Sequence, residues 1–283
     1  MNNFFKINLF SYLANLPKKE VVTEVILGGD VMLGRTVMST SLAKNDPTYP
    51  FLKVANVLQA ADLVFVNLEN PFVTDCPPHN EGLIFCADPK MVEGIKYANI
   101  GAVTLANNHA RNYGQDGLDE TLSLLASKGI LATNSNLVTT TINGLTFGLL
   151  GFNFLDTKPA EADYALIQVS SETVDVLIVS IHWGSEYQAH PSQNQQEIAQ
   201  RIIASGAAVL VGHHPHWVQD VEYVNGKPVY YSLGNFVFDQ MWSENTRNGL
   251  LVKLTFDERG EMISEEFLPT YIGSWSQPEF VNQ

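Results

Sequence analysis

Cysteine and basic residues are both scarce in this chain. Its 283 residues include two cysteines, Cys76 and Cys86, and 16 Lys and Arg against 30 Asp and Glu, for a net charge of -14. Two thiols outside a CxxC pattern exclude a disulfide framework, and they leave both a single bridge and two free thiols open. Because basic residues are needed to hold a phosphate backbone, the acidic balance excludes nucleic acid as the main partner. A small anionic or polymeric anionic substrate stays possible, since bound metal ions can supply local positive charge.

Long apolar runs are also missing, although 45% of the residues are hydrophobic. No segment approaches the roughly 20 apolar residues of a membrane span. The first 16 residues lack the basic start and the uninterrupted apolar centre of a signal peptide. These absences predict a soluble, cytoplasmic protein without a transmembrane segment.

Strand and helix patterns alternate through the first two-thirds of the chain, and hairpin patterns follow. Residues 1–20 are predicted to form an N-terminal extension, and residues 21–283 a single domain. Apolar runs predict strands at 21–27, 63–66, 100–105, 174–181 and 207–211, and helical spacing predicts helices at 51–60, 89–98, 117–128 and 193–204. Hairpins are expected at Asn143-Gly144 and Asn225-Gly226 and across 250–267. The pattern indicates an α/β (α+β) fold with a mixed sheet or two packed sheets and helices outside.

Metal-binding side chains follow five of the apolar runs. They are Asp30, Glu69, His109, His182 and the cluster His213-His214-Pro215-His216. Because ligands gather at the carboxyl ends of strands in α/β folds, these side chains are expected to lie close together. Each one alone has an ordinary structural reading, such as a turn aspartate or a hydrogen-bonded core histidine. Five such coincidences together are much less probable than one.

The predicted ligands combine carboxylate, amide and imidazole groups. They are Asp30, Glu69, Asn108, His182, His214 and His216. A mixed nitrogen and oxygen set suits manganese, iron or zinc better than magnesium or calcium. The number of ligands exceeds the need of one tetrahedral ion and predicts a site for two ions about 3.5–4 Å apart. The pair Asn107-Asn108 does not itself say which amide binds, and His213 is expected to be a supporting or turn residue.

Two further residues are candidates for catalytic roles. His109 directly follows Asn108, so it is placed to protonate a leaving group as a general acid. Arg35 follows Asp30 after a glycine, and its planar guanidinium could orient an anionic substrate. A simple ion pair between Arg35 and a surface carboxylate is the alternative.

Six segments of the chain resemble the bacterial CapA family of capsule and poly-γ-glutamate synthesis proteins. They occur in family order and cover about 24–256. The segments are GGDVMLGR (28–35), ADLVFVNLENP (61–71), LANNHARNYGQDGLDETL (105–122), SIHWGSEY (180–187), VGHHPHWVQDVE (211–222) and YYSLGNFVFD (230–239).

The resemblance implies a two-sheet αββα sandwich like that of calcineurin-type metallophosphoesterases, and a metal-dependent hydrolase of the phosphoesterase type. It also assigns residues to that superfamily's metal motifs. Asp30 matches the first aspartate of those motifs, and Glu69 or Asn67 matches the bridging carboxylate. Asn108-His109 matches the Asn-His pair. His182 matches the isolated histidine, and His214 and His216 match the paired histidines.

Three positions depart from the pattern that the resemblance implies. Met32 stands where the phosphoesterases have a histidine ligand, Glu69 or Asn67 where they have an aspartate, and Asn112 where many family members have an aspartate. Two other functions therefore stay open. One is γ-glutamyl amide-bond chemistry on polyglutamate, and the other is a non-catalytic accessory subunit in complex with a polymer synthase.

Overall fold

The computed structural model describes residues 21–281, and the predicted extension at 1–20 lies outside the described residues. Within that range the chain forms fourteen strands, which build two sheets. They are β1 (Thr23–Val31), β2 (Leu63–Leu68), β3 (Ile100–Thr104), β4 (Leu131–Thr133), β5 (Val138–Ile142), β6 (Leu145–Asn153), β7 (Val176–His182), β8 (Val209–His213), β9 (Val221–Val224), β10 (Lys227–Tyr230), β11 (Asn235–Val237), β12 (Asn248–Phe256), β13 (Met262–Ser274) and β14 (Gln277–Phe280).

Both sheets are mixed. The first has the order β14-β13-β12-β1-β2-β3-β4, and β11 also pairs with β1. Its strands β1 to β4 are parallel, whereas β12 to β14 are antiparallel. The second sheet has the order β5-β6-β7-β8-β10-β9, with a parallel centre and an antiparallel strand at each edge.

Seven α-helices are present in residues 21–281. They are α1 (Arg35–Ala43), α2 (Ala55–Leu58), α3 (Val92–Tyr97), α4 (Gly114–Ser127), α5 (Glu161–Ser171), α6 (Gln193–Ala204) and α7 (Glu244–Arg247). No helix in this part of the chain is both long and apolar enough to cross a membrane.

Alternation along the strands assigns side chains to three apolar layers. Val25 and Leu27 of β1 pack in the core between the two sheets, whereas Ile26 packs on the outer face with the helix residue Val37. Successive side chains of a strand point to opposite faces, so a strand buried on both sides is apolar throughout. The outer face of the second sheet is covered by α5 and α6, through residues such as Ile167. The predicted αββα sandwich is confirmed.

Several predicted elements need correction. The single helix expected at 51–60 is wrong, because the chain forms a 3-10 turn at Tyr49–Phe51 and then the short α2. The helix expected at 89–98 likewise begins as a 3-10 turn, at Pro89–Met91. Helices α1 and α5 and strands β4 and β11 were not predicted. The sequence of α1, RTVMSTSLA, is rich in Thr, Ser and Val, which have weak helix propensity, so tertiary packing decides its conformation.

Strand register brings the predicted site residues together. Asp30 is paired with Asn67 on β2 and with Asn235 on β11, and His182 is paired with His213 across β7 and β8. Asp30, Asn67, His182 and His213 stand at or near the carboxyl ends of their strands, where both sheets open onto the same edge, and Asn235 begins β11 beside them.

Candidate metal centre

Two buried carboxylates form the floor of the site. The Asn67 Nδ2 amide donates to Asp30 Oδ1 and to Glu69 Oε1, at 2.9 Å each. The Oδ1 of Asn67 accepts in turn from Asn107 Nδ2 at 3.0 Å. Asn67 therefore holds the two carboxylates side by side. Because the Asn67 amide is occupied by these hydrogen bonds, Glu69 rather than Asn67 is the candidate ligand at the bridging position.

Imidazoles from the second sheet approach the same carboxylates. His216 Nδ1 lies 3.1 Å from Asp30 Oδ2 and 3.0 Å from Asn235 Oδ1. His213 Nδ1 lies 3.2 Å from Asp30 Oδ1, and His182 Nδ1 lies 3.8 Å from Glu69 Oε1. His213, predicted as a supporting residue, thus touches a candidate ligand directly.

The turn that carries His214 and His216 has an unusual backbone. Their φ angles are 97° and 59°, in the left-handed region that side chains other than glycine rarely adopt. The turn brings the His214 ring to 4.9 Å from the ring of His182, measured between centroids. Backbone strain of this kind persists where the surrounding structure fixes it, and it concentrates at functional sites.

The structure separates the roles of the two neighbouring asparagines. Asn107 is buried, and its Oδ1 accepts from the backbone N–H groups of His109 and Ala110, which closes the turn after β3. Asn108 is exposed, and its Oδ1 lies 3.0 Å from His182 Nε2. Asn108 is therefore the one of the two that faces the other candidate ligands.

The pKa values of the two buried carboxylates are shifted in opposite directions. Burial, together with the charge of Asp30, raises the pKa of Glu69 to about 8. Burial would also raise the pKa of Asp30, but the imidazoles of His213 and His216 outweigh it and hold that pKa well below its usual range. Glu69 Oε2 is buried without a hydrogen-bond partner among the described residues. The floor therefore holds two carboxylates of widely separated pKa, of which Glu69 keeps its proton to the higher pH.

The histidines fall into two electrostatic classes. Burial lowers the pKa of His182 well below its usual value and that of His214 to about 4, so both are neutral at pH 7. Burial would lower the pKa of His216 as well, but the carboxylates of Glu69 and Asp30 raise it to about 9. Metal binding requires neutral imidazole, so His182 and His214 are already in the ligand form.

Two groups of side chains could each hold a cation. Asp30, Glu69 and His216 form one, and Glu186, His214 and His216 form the other, with the ligand atoms within 4.8 Å of one another in each. The unpaired Glu69 oxygen and the mixed nitrogen and oxygen donors fit a divalent transition ion.

Sequence reasoning missed Glu186 as a candidate ligand. It is an exposed loop residue four positions after His182, so it carries no strand-end signal. Its segment, SIHWGSEY, is one of the six that carry the family resemblance, and that was the signal by which Glu186 could have been found. Met32, at the position of a histidine ligand in the phosphoesterases, is buried in the apolar core, and its Sδ accepts from Gly34 N–H at 3.1 Å. Glu186 is therefore a further candidate acidic ligand, at a site where Met32 offers none.

His109 stands at the rim of the site. Its Nδ1 lies 3.0 Å from Asn112 Oδ1, which also accepts from the backbone N–H of Phe85 at 2.6 Å. The Phe85 ring stacks on the imidazole with centroids 4.0 Å apart. Burial lowers the pKa of His109, although the hydrogen bond to Asn112 opposes this. Because Asn112 Oδ1 can only accept, Nδ1 of His109 carries a proton, and in the neutral ring Nε2 is the acceptor.

Arg35 is committed to protein partners. Its guanidinium forms a two-pronged ion pair with the buried Asp239, through Nη2 to Oδ1 and Nε to Oδ2. Its Nη1 donates to Gly82 O at 2.8 Å. The carboxylate partner is thus a buried group, not the surface carboxylate considered from the sequence.

A disulfide joins Cys76 and Cys86. The sequence left a single bridge and two free thiols open, and the structure has the single bridge. The bridged segment carries Gly82 and Phe85, which contact Arg35 and His109 respectively. The bridge therefore restrains one rim of the site.

Several known proteins are similar to this chain in sequence. A family model described as "Bacterial capsule synthesis protein PGA_cap" matches residues 24–240. The PGA biosynthesis protein CapA of Bacillus subtilis (strain 168) is 29% identical over 276 residues, which cover 87% of this chain and 72% of that protein. The capsule biosynthesis protein CapA of Bacillus anthracis is also 29% identical, over 83% of this chain and 64% of its own length, so the chain spans less than two thirds of that relative.

A solved structure described as a novel phosphatase from Mycoplasma pneumoniae has a similar fold. Its TM-score is 0.57 at 16% identity, over 89% of this chain and 94% of that one. At this identity the likeness establishes the architecture alone. The family match covers most of the chain and confirms the resemblance seen in its six motifs. The chain belongs to the bacterial capsule synthesis protein family.

Proposed function

We propose that this protein is a metal-dependent hydrolase of the phosphoesterase type. The observation that carries the proposal is the buried pair Asp30 and Glu69, flanked by imidazoles and left with an unpartnered carboxylate oxygen. Two adjacent buried carboxylates are destabilising unless a cation compensates them. A purely structural pair would not leave one oxygen unsatisfied.

The residues that would hold one or two divalent ions, of Mn, Fe or Zn, share one edge of the two sheets. They are Asp30, Glu69, Asn108, His182, Glu186, His214 and His216. When bound, such ions polarise a phosphoryl oxygen and lower the pKa of water. Asn67 keeps the two floor carboxylates in place through its paired hydrogen bonds.

His109 would supply the proton for the leaving group. Asn112 holds its Nδ1, so in the charged form Nε2 carries the proton that can be donated. Stacking on Phe85 fixes the plane of the ring. The role predicted for Arg35 becomes indirect, because its ion pair with Asp239 stabilises the rim that faces the substrate.

We infer that the substrate is an anionic phosphoester, with a role near polymer synthesis. The relatives are named for capsule and PGA biosynthesis, which favours such a setting and a synthase complex as partner. No residue of the site specifically favours γ-glutamyl amide chemistry. Incubation with polyglutamate beside simple phosphate esters separates the two, because turnover of the polymer alone would support the amide reaction.

Metal content and turnover test the proposal together. Purified protein is reconstituted with Mn, Fe or Zn, and bound metal and phosphate-ester hydrolysis are measured. We expect at least one equivalent of metal, with both metal binding and turnover lost in His216→Ala. Val169→Ala, at an exposed position of α5, serves as the matched control. Less than one equivalent in the wild type, with the same metal binding in His216→Ala, would refute the proposal.

Folded protein that binds metal, turns over no phosphoester and co-purifies with a synthase would instead support the accessory-subunit function.

A further inference from the structure

A second cavity opens beside the metal centre. Its volume is about 570 Å³, and Trp242 and Trp275 line it. These indoles are 62% and 52% exposed. Most small-molecule sites have volumes of roughly 300–1,000 Å³ and aromatic walls. Two exposed tryptophans in one cavity are unusual for a surface without a ligand, because water-exposed apolar area is unfavourable.

Ring contacts connect this cavity to the metal centre on both sides. On one side, Arg35 lines the cavity and its guanidinium lies 4.7 Å from the centre of the Phe85 ring, which stacks on His109. On the other side, Trp242 packs edge-on against Tyr187 at 5.8 Å, and Tyr187 lies 6.2 Å from the ring of His216. One aromatic ring, that of Phe85, therefore separates the cavity from the proposed proton donor, and the ring of Tyr187 separates it from a proposed metal ligand.

The charge of the lining restricts what the cavity can bind. Glu81 and Asp239 contribute carboxylates, which oppose a second anionic group. The charges of Arg35 and Asp239 offset each other in their ion pair, so the remaining charge is that of Glu81, an exposed side chain screened by water. Thr36, Asn80 and Glu81 add hydroxyl, amide and carboxylate groups that can hydrogen-bond to hydroxyls. A neutral ligand that combines an apolar face with hydroxyl groups suits this lining best.

We propose that this cavity binds the leaving group of the substrate, and that this group carries an uncharged pyranose ring. The inference rests on the proposed phosphoesterase function, since it places the phosphoryl group at the metal centre and the sugar beyond His109. The C–H face of a pyranose packs on an indole, and its hydroxyl groups reach the polar lining. Trp242 and Trp275 would then determine substrate preference.

Hydrolysis of three esters by the metal-reconstituted enzyme tests this assignment. The substrates are glucose 1-phosphate, phosphocholine and methyl phosphate, which carry a neutral ring, a cation and no ring. We expect the highest kcat/KM for the sugar ester. In Trp242→Ala and Trp275→Ala the ratio of kcat/KM for the sugar ester over methyl phosphate falls about tenfold, whereas Trp→Phe at the same positions retains most of it. Val169→Ala is expected to match the wild type.

The results overturn the assignment if phosphocholine is the best substrate, or if the ratio is the same in both alanine variants. A wild type that hydrolyses none of the three esters refutes the proposed function instead. The cavity is then tested without chemistry, by titrating methyl glucoside against tryptophan fluorescence. A saturable change that disappears in Trp242→Ala supports the sugar site, and the absence of any change in the wild type refutes it.

Discussion

The substitution Glu69→Gln separates the structural from the metal-binding role of the carboxylate floor. Glu69 and Asp30 are both fully buried, and their ligand atoms lie within 4.8 Å of each other. Because burial and the charge of Asp30 raise the pKa of Glu69 to about 8, the metal-free protein must take up a proton at Glu69 when it folds at pH 7, which costs about 3.4 kcal/mol. Glutamine keeps the shape of the side chain and the carbonyl oxygen that accepts from Asn67.

The metal-free variant is expected to be more stable than the metal-free wild type. Removal of this protonation cost contributes about 3.4 kcal/mol. Against it, the new amide nitrogen replaces Oε2, which has no partner, and an unpaired buried donor costs about 1–3 kcal/mol. The expected net gain is about 2 kcal/mol. With metal bound, the wild type is expected to be the more stable of the two proteins. Metal at a hundred times its Kd adds about 2.7 kcal/mol to the free energy of unfolding of the wild type, and the variant largely loses this gain.

Urea denaturation with a chelator and with saturating Mn measures both effects. Glu161→Gln is the matched control, because Glu161 is an exposed carboxylate whose ion pair with Arg201 is worth little. A metal-free Glu69→Gln that is less stable than the wild type, and that gains as much from Mn, would refute the reasoning.

Three other substitutions probe the rim and the sheet contact. Asn112→Asp places a carboxylate where Asn112 Oδ1 now lies, 3.0 Å from His109 Nδ1, and should raise the pKa of His109 by about 1–3 units. The pH-rate profile should then shift to higher pH, and an unshifted profile would contradict the prediction. Replacing Cys76 and Cys86 by serine should lower the free energy of unfolding by about 2.7 kcal/mol, measured in urea, and reducing agent should then have no further effect. Burial and a hydrogen-bonded carboxylate raise the pKa of Tyr230, so the stability that is present below pH 10 is lost as the pH rises further. Tyr230→Phe should make this loss smaller, measured as the urea midpoint between pH 8 and 11. The same pH dependence in the variant and the wild type would argue against it.

Much of the site was predictable because its residues end apolar strands. Asp30, His182 and the histidine cluster were found by that signal, and the strands themselves carry the β-branched runs expected of a sheet buried on both faces. Glu186 was not found, since it lies in a loop whose position depends on long-range contacts. Helix α1 was missed for a related reason, because its Ser and Thr residues favour helix only once Val37 and Met38 are packed.

The sequence by itself determined the strand pattern and most of the candidate ligands, because strand periodicity and strand-end chemistry are local properties of the chain, and its six motifs indicated the family and, through it, the αββα class. Only the tertiary structure decided which of Asn107 and Asn108 faces the site, that Arg35 is paired with Asp239, and that Cys76 and Cys86 are bridged. These outcomes depend on contacts between residues up to 204 positions apart, which only the register of two packed sheets can specify.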